Sequence, residues 1–548
     1  MANFSARIFG SSLSSLRAQL ARIAVVSNNI ANADTAGYSR RTVNITTGSQ
    51  SNVGQIQVGS GVEIGSVVRI TNEFFFNNMI SETARHNFFN GQMELISSLD
   101  NFFGAKGLGT QLGIRLTEFF QSAQEISTNP SSPALRRAFI EKGQLLAENI
   151  RLLYKSLAKL QSDANGLISQ KVDQVNLITK QIAELNTKIK AFESQNGHGS
   201  ALDLRDQRDK LLNDLAKHIE YDFFEGSDFT VTISLKNGLT LVSGSESWKL
   251  KALTNPSFTT NTTYALDGSA LSYVVVELGF NSHVDVSEVL KNSGGDIGGL
   301  LSFRGLADPA IINPFNVDGI IVSVARKIEA LSRFFLTTVN QIYRGWDPSL
   351  PFNGDEDPGT TYFDPSSIDL NGFTPGVYGL FGLTGVTLSD TNNDGLPNDL
   401  GSLTVFSTAD RLRFLVSDPN NLAFSRDLDP TAGSLVGAPG DSRIASQIAN
   451  LRYQITNFTA PGFTYSGRPT DLVELTQTEI GTIVREIKEN HTSSLNRMNF
   501  FSQQLDSVRG VNSDEELALL TQFQRYYQYS ARLLSVADDL LSEILKVL

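Results

Sequence analysis

The densest set of hard-ligand side chains in this sequence lies at Asp390, Asn392, Asp394, Asn398 and Asp399. Oxygen donors at relative positions 1, 3, 5 and 9, with Gly395 at position 6, are features of a calcium loop, where carboxylates and a sharp glycine turn surround a hard cation. Position 12 is Gly401, so the bidentate glutamate of such loops is missing. The same residues equally suit an Asp/Asn-rich surface turn, and on the calcium reading the ion is structural only. The five histidines, His86, His198, His218, His283 and His491, fall in no HExxH and no recognisable triad. No GxSxG, phosphate-binding loop or dinucleotide fingerprint is present, and the absence of cysteine removes thiolate nucleophiles, thiolate metal sites and disulfides. We therefore assign no catalytic residue, no cofactor and no metal ligand.

What the side-chain spacing does specify is association. In the last 38 residues one seam reads Leu520, Tyr527, Leu534, Leu541 and Leu548, and a second, offset by three, reads Phe523, Ser530, Ala537 and Ile544. This is an a/d heptad with two small residues that permit close approach. Ser513 followed by Glu516 has capping-box spacing and predicts the helix start. A helix of roughly 36 residues is about 54 Å long, and its stripe requires a partner. The other end of the chain offers one, with Leu13 and Leu20 on one seam and Leu16 and Ile23 on the other. Residues 1–35 and 511–548 are thus expected to form a terminal coiled coil.

Between these ends the period changes several times. Gly37 supplies the turn after the first helix, and Tyr38 to Thr47 and Val62 to Ile70 predict a hairpin. Ser132-Pro133 has cap and first-turn chemistry, and heptads then run to Phe192, with Gly143 and Gly166 as possible bends. Leu202 to Ile219 reads as a shorter helix whose alternating charges form a solvated face. Residues 220–299 alternate with period two around an Asn237-Gly238 turn and predict a β domain. Heptads return at Val317 to Tyr343 and again from Pro469 to Val508, while 346–440 is rich in Pro, Gly, Asp and Asn and reads as a second, outer β-rich domain. Segments 36–219, 300–345 and 441–510 then form a discontinuous helical bundle. The expected fold is α+β and multidomain: terminal heptad helices and a long-helix bundle as inner core, with two inserted β-rich outer domains.

The net charge of -12 argues against non-specific nucleic-acid binding. No run of 18 apolar residues exists to span a membrane. Arg7, Arg17 and Arg22 interrupt the first apolar stretch, so no secretory signal peptide is expected.

The run Asn28-Asn29-Ile30-Ala31-Asn32-Ala33-Asp34-Thr35-Ala36-Gly37-Tyr38-Ser39-Arg40 resembles the signature of bacterial flagellar rod, hook and hook-associated proteins. Its Gly-Tyr-Ser-Arg form is similar to the hook-associated, hook–filament junction branch. Gly61 to Phe76 resembles the segment that follows in that family. Val511 to Glu516, with Gln524, Tyr527, Ser530, Ala531 and Arg532, resembles its ending. The resemblance implies a structural, extracellular protein of the flagellum, exported without a cleaved signal peptide. It also implies a ring of about eleven copies, with the hook protein and a second junction protein (hook-associated protein 3) as neighbours. An export chaperone on the last helix is implied as well. The hook protein or the neighbouring junction protein remains an alternative, with a secreted adhesin or hydrolase behind it. On this reading Asn28, Asn29, Asn32, Thr35, Gly37, Tyr38 and Arg40 form the joint. Leu13, Leu16, Leu20, Ile23, Leu520, Phe523, Tyr527, Leu534 and Leu541 carry assembly.

Overall fold

A computed structural model describes residues 2–53, 56–59, 61–197, 199–258, 263–279, 282–307, 318–343, 379–384, 408–424 and 440–547. The calcium-type loop at 390–399, His198 and most of the expected outer domain at 346–440 lie outside the described residues. The side chain of Leu541 does too. The chain is α+β, helix-rich with several small sheets. No helix among the described residues is long and apolar enough to cross a membrane.

Two compact units emerge, each discontinuous in sequence. The first comprises Met1–Asn87, Gln174–Lys249 and Thr492–Leu548, and the second Phe88–Asp173 and Leu250–His491. Helices Glu73–Phe103, Pro133–Asn196 and Pro469–Arg509 contribute residues to both.

The 64-residue helix Pro133–Asn196 follows from its heptad. Every position of the seam from Ile140 through Ala147, Tyr154, Gln161, Ile168, Val175 and Ile182 to Ile189 is buried. Gly197, at φ +92°, ends it in the left-handed region that glycine tolerates. In the first unit Asn186 docks a sheet on this helix. Its amide donates to the carbonyls of Val231 and Gly244 and accepts from the Val231 N–H. That sheet holds four antiparallel strands in the order Tyr221–Glu225, Val231–Leu235, Thr240–Ser243, Glu246–Ser247. The rest of residues 220–299 forms a separate three-stranded sheet, with Tyr273–Gly279 between Ser282–Asp285 and Lys249–Leu253.

The second unit is built on aromatic packing. Phe119 lies 5.0 Å from Phe139, 5.8 Å from Phe335 and 5.7 Å from Phe381, while Phe139 reaches Phe414 and Phe424. Strands Phe381–Leu383 and Leu412–Phe414 pair antiparallel over this cluster. Two buried polar side chains fix their approach. Asn340 accepts from the N–H groups of Leu380 and Phe381, and Glu329 from the Thr408 hydroxyl and the Ala409 N–H.

Gly143 does not end or interrupt the long helix; it makes room. A Cβ there would sit 2.4 Å from the Phe414 ring, whereas one at Gly166 meets nothing within 4 Å. Both sites gain up to about 1 kcal/mol of helix propensity from alanine, but overpacking a core costs about 1–3 kcal/mol. Gly143→Ala should therefore lose about 1–2 kcal/mol in denaturant unfolding of the full chain, and Gly166→Ala should gain up to about 1 kcal/mol.

Candidate functional site

The residues that sequence spacing singles out meet in the first unit. The first helix, Ala2–Ala31, and the last, Ser513–Val547, lie side by side and antiparallel. Ser15 and Ser530 share a hydroxyl hydrogen bond of 2.9 Å at one level, and Asn29 meets Glu516 at another. The facing seam of the last helix is the predicted one: Ser530 and Ala537 are buried, and Leu520, Phe523, Tyr527 and Leu534 are half-buried. The first helix turns a different face inward. Its buried positions are Ser12, Ala18, Gln19, Val26 and Asn29, while Leu13, Leu16 and Ile23 are half-buried and Leu20 is 48% exposed. The first helix packs on the 41–69 hairpin as well as on the last helix: Ser14 accepts from the Val62 N–H, and Ser15 meets Ser530. A hydroxyl–hydroxyl bond brings the two backbones close, which small side chains permit and a leucine seam does not.

At Ala31 the first helix gives way to a joint stitched by short polar side chains. Asn32 Nδ2 donates to the Asn28 carbonyl and to Asn28 Oδ1, and the Thr35 hydroxyl donates to Asn32 Oδ1. Gly37 turns the chain at φ +86°. The Tyr38 hydroxyl lies 2.9 Å from Asn29 Oδ1 and 3.1 Å from Asn28 Oδ1. Burial raises its pKa against the opposing pull of the Arg41 guanidinium, which lies 4.7 Å over the ring. Tyr38 is therefore a neutral donor at any physiological pH.

Asn29 is fully buried and uses its whole amide. Oδ1 accepts from the Arg41 N–H, and Nδ2 donates to the Arg41 carbonyl and, at 3.0 Å, to Glu516 Oε2. Glu516 Oε1 in turn accepts from Arg40 Nε at 2.7 Å. The expected Ser513/Glu516 capping box is not how the last helix starts. Asn512 Oδ1 accepts from the N–H groups of Asp514 and Glu515, which frees the Glu516 carboxylate to reach the joint.

The joint is bolted below by the helix Leu202–Ala216, which is not a solvated face. Asp203, Asp206 and Asp209, spaced by three, share one side. Asp203 and Asp206 hold Arg41, and Asp206 and Asp209 hold Arg69, both at 2.8 Å. Arg41 and Arg69 are register partners at the base of the antiparallel pair Arg41–Thr47 and Val62–Arg69. Arg205 and Arg208 extend from another side of the same helix. Arg205 forms a fork with Glu193 at 2.6 and 2.8 Å, and both arginines reach Glu225. Burial pushes the Glu193 carboxyl up, but the Arg205 guanidinium and the N–H groups of Gly199 and Ala201 outweigh it and hold the pKa at about 2. The sequence signal for this bolt was present in acids at i, i+3, i+6 and arginines at i, i+3. Its partners, Arg41, Arg69, Glu193 and Glu225, are set by the fold.

Most polar groups of this constellation pair with one another, while Arg41 Nε and Arg208 Nε are buried with no hydrogen-bond partner among the described residues. Among the described residues no group of three His, Cys, Asp or Glu could hold a metal ion.

Residues 96–349 match the family model described as "Flagellar hook-associated protein FlgK helical domain". Residues 11–38 match the flagella basal body rod protein model, and 503–547 the C-terminal model of the flagellar basal body rod FlgEFG proteins. These two short matches cover most of the paired helices and the joint. The sequence is 25% identical to flagellar hook-associated protein 1 of Salmonella typhimurium over 98% of both chains. It is 25% identical to that of Escherichia coli over 98% of this chain and 99% of the other, and 24% identical to that of Bacillus subtilis over 97% and 96%. The solved structure of the flagellar hook junction protein FlgK from Burkholderia pseudomallei shares the fold, with a TM-score of 0.56 and 14% identity. That match covers 79% of this chain and all of the other.

The Glu193 pKa carries a stability prediction with a defined sign. The folded pKa lies below the unfolded value of about 4.3, so the pair contributes stability above that pH and loses it as pH falls towards about 2. Glu193→Gln should cost about 3 kcal/mol at pH 7, measured by native-state hydrogen exchange in the 202–216 helix. The gap between variant and parent should close between roughly pH 5 and pH 2.

Proposed function

Since the chain belongs to the hook-associated family of flagellar axial proteins, we propose that it is a non-enzymatic structural element joining hook to filament. The observation that carries this reading is a second apolar stripe on the last helix. Tyr526, Tyr529, Leu533, Val536 and Leu540 follow the 3-4-3-4 spacing of a heptad seam and are between 41% and 57% exposed. The first helix already occupies the other seam. A helix with two seams is built for a bundle of more than two, and burying each such side chain is worth about 1.5–3 kcal/mol. Leu20 adds to the uncovered surface from the first helix.

Further copies of the same chain, in a ring of about eleven, are the partners that this stripe fits, with hook protein and the second junction protein stacked along the axis. Before assembly, an export chaperone covers the last helix. The chain leaves the cell by the flagellar export route. Residues 1–35 with 511–548 form the root. Assembly is coupled to folding, because isolated paired helices gain little from propensity and depend on packing. Leu520, Phe523, Tyr527 and Leu534 close the pair from the last helix, with Ser15, Ala18 and Asn29 opposite, while Asn28, Asn32, Thr35, Gly37 and Tyr38 set the angle at which it leaves the bundle.

Two experiments test this. Labelled protein should sit only at the boundary of hook and filament, and cells lacking it should keep hooks while releasing filament subunits into the medium; normal filaments on such cells would refute the assignment. Leu533→Asp places a charge on the outward stripe, where desolvation in an interface is costly. It should leave thermal unfolding of the free chain unchanged within about 0.5 kcal/mol and abolish incorporation at the junction.

A further inference from the structure

Glu516 lies in the first turn of the last helix, yet its carboxylate points away from that helix into the joint. Oε2 accepts a hydrogen bond from Asn29 Nδ2 and Oε1 one from Arg40 Nε. Asn29, with no exposed surface, holds the backbone of Arg41 through both its N–H and its carbonyl and also receives the Tyr38 hydroxyl. Arg40 in turn donates its N–H to the Arg509 carbonyl and accepts from the Ile70 N–H. One buried amide therefore connects the last helix to the point where the joint becomes a strand. We propose that Asn29, Arg40 and Glu516 form an interlock through which docking of the last helix orders the joint 28–41. It rests on the reading of the chain ends as the assembly element and adds how their state is passed on. Whatever strips the last helix from the first also unlocks the joint.

Burial decides where the effect of losing Glu516 falls. Arg40 is 24% exposed and lines a cleft of about 290 Å³ that Glu516 also lines, so water can replace the carboxylate at its Nε. Asn29 has no such access, and a buried N–H without an acceptor is unfavourable. The amide must then reorient, and its bonds to Arg41 and Tyr38 change with it. Other polar contacts of the last helix do not substitute. Glu515 lies 3.6 Å from Arg40 Nη1 but is exposed, where such pairs contribute little. The Ser15–Ser530 bond is 14 residues further along the helix, about 21 Å from Glu516. Glu516 is thus a positioning residue that acts on the joint through Asn29.

The test exploits the absence of native cysteine. Ser15→Cys with Ser530→Cys places two thiols where the hydroxyls already meet, so oxidation clamps the last helix onto the first in the full chain. Hydrogen exchange at the Tyr38, Arg40 and Arg41 amides is then compared with and without the clamp. In the chain carrying Glu516 the clamp should slow these amides at least tenfold. In the same clamped chain with Glu516→Leu it should not, and Glu516→Gln, which keeps the shape and one acceptor, should fall between. Equal slowing with glutamate and leucine, or none with glutamate, would overturn the interlock. So would loss of protection in the 202–216 helix of the Glu516→Leu chain, since Glu516 would then be a general stabiliser. Protection of the unclamped helices reports separately on assembly-coupled folding, so failure of that reading and failure of the interlock are distinguishable.

Discussion

Burying an amide and a carboxylate against apolar helix faces is tolerable only when each satisfies the other, and at Asn29 and Glu516 they do. Neither residue can be buried alone without an unmet hydrogen bond. The two chain ends are therefore compatible with each other in one arrangement, with Asn29 beside the first turn of the last helix and Ser15 beside Ser530. Two polar contacts at opposite levels set the register that apolar side chains, tolerant of sliding, would leave open. The joint inherits its geometry from that register because Asn29 also holds Arg41.

From Arg41 the constraint passes into the body of the first unit. Buried ion pairs are weak evidence of stability, because desolvation offsets attraction. Here the geometry tips the balance. Asp206 bridges Arg41 and Arg69, so a single helix residue fixes both strands at their base. Arg205 binds Glu193 through a two-pronged fork while backbone N–H groups take up the remaining lone pairs of the carboxylate. The 202–216 helix thus ties the hairpin to the end of the long helix, and the joint rests on a scaffold with little freedom. The outward stripe of the last helix has no such restraint, and that contrast is what an assembly element requires: a fixed base and an unsatisfied surface.

The heptad made both terminal helices legible as helices, and in Pro133–Asn196 one seam is buried at every position from Ile140 to Ile189. The inward face of the first helix was not legible. Leucines at 13, 16 and 20 outweigh serines on any hydrophobic count, whereas in the fold Ser15 meets Ser530, Ser14 accepts from the Val62 N–H, and Ser12, Ala18 and Gln19 are buried. The charged helix at 202–216 misleads for a related reason: alternating charge describes a solvated face and a buried ion network equally well until the partners are known. Glu516 has capping-box spacing, yet Asn512 makes the cap and the carboxylate serves the joint. The joint motif was found through its resemblance to a family, and the role of each asparagine through geometry.

On the proposed function, the paired ends are completed by neighbours and not by the chain itself. Amide hydrogen exchange of the free chain against the assembled junction tests it most directly. Residues 2–30 and 513–540 should exchange rapidly in dilute free chain and become at least a hundredfold slower on assembly, while 133–192 is protected in both states. Strong protection of both terminal helices in the free chain, unchanged on assembly, would contradict the account.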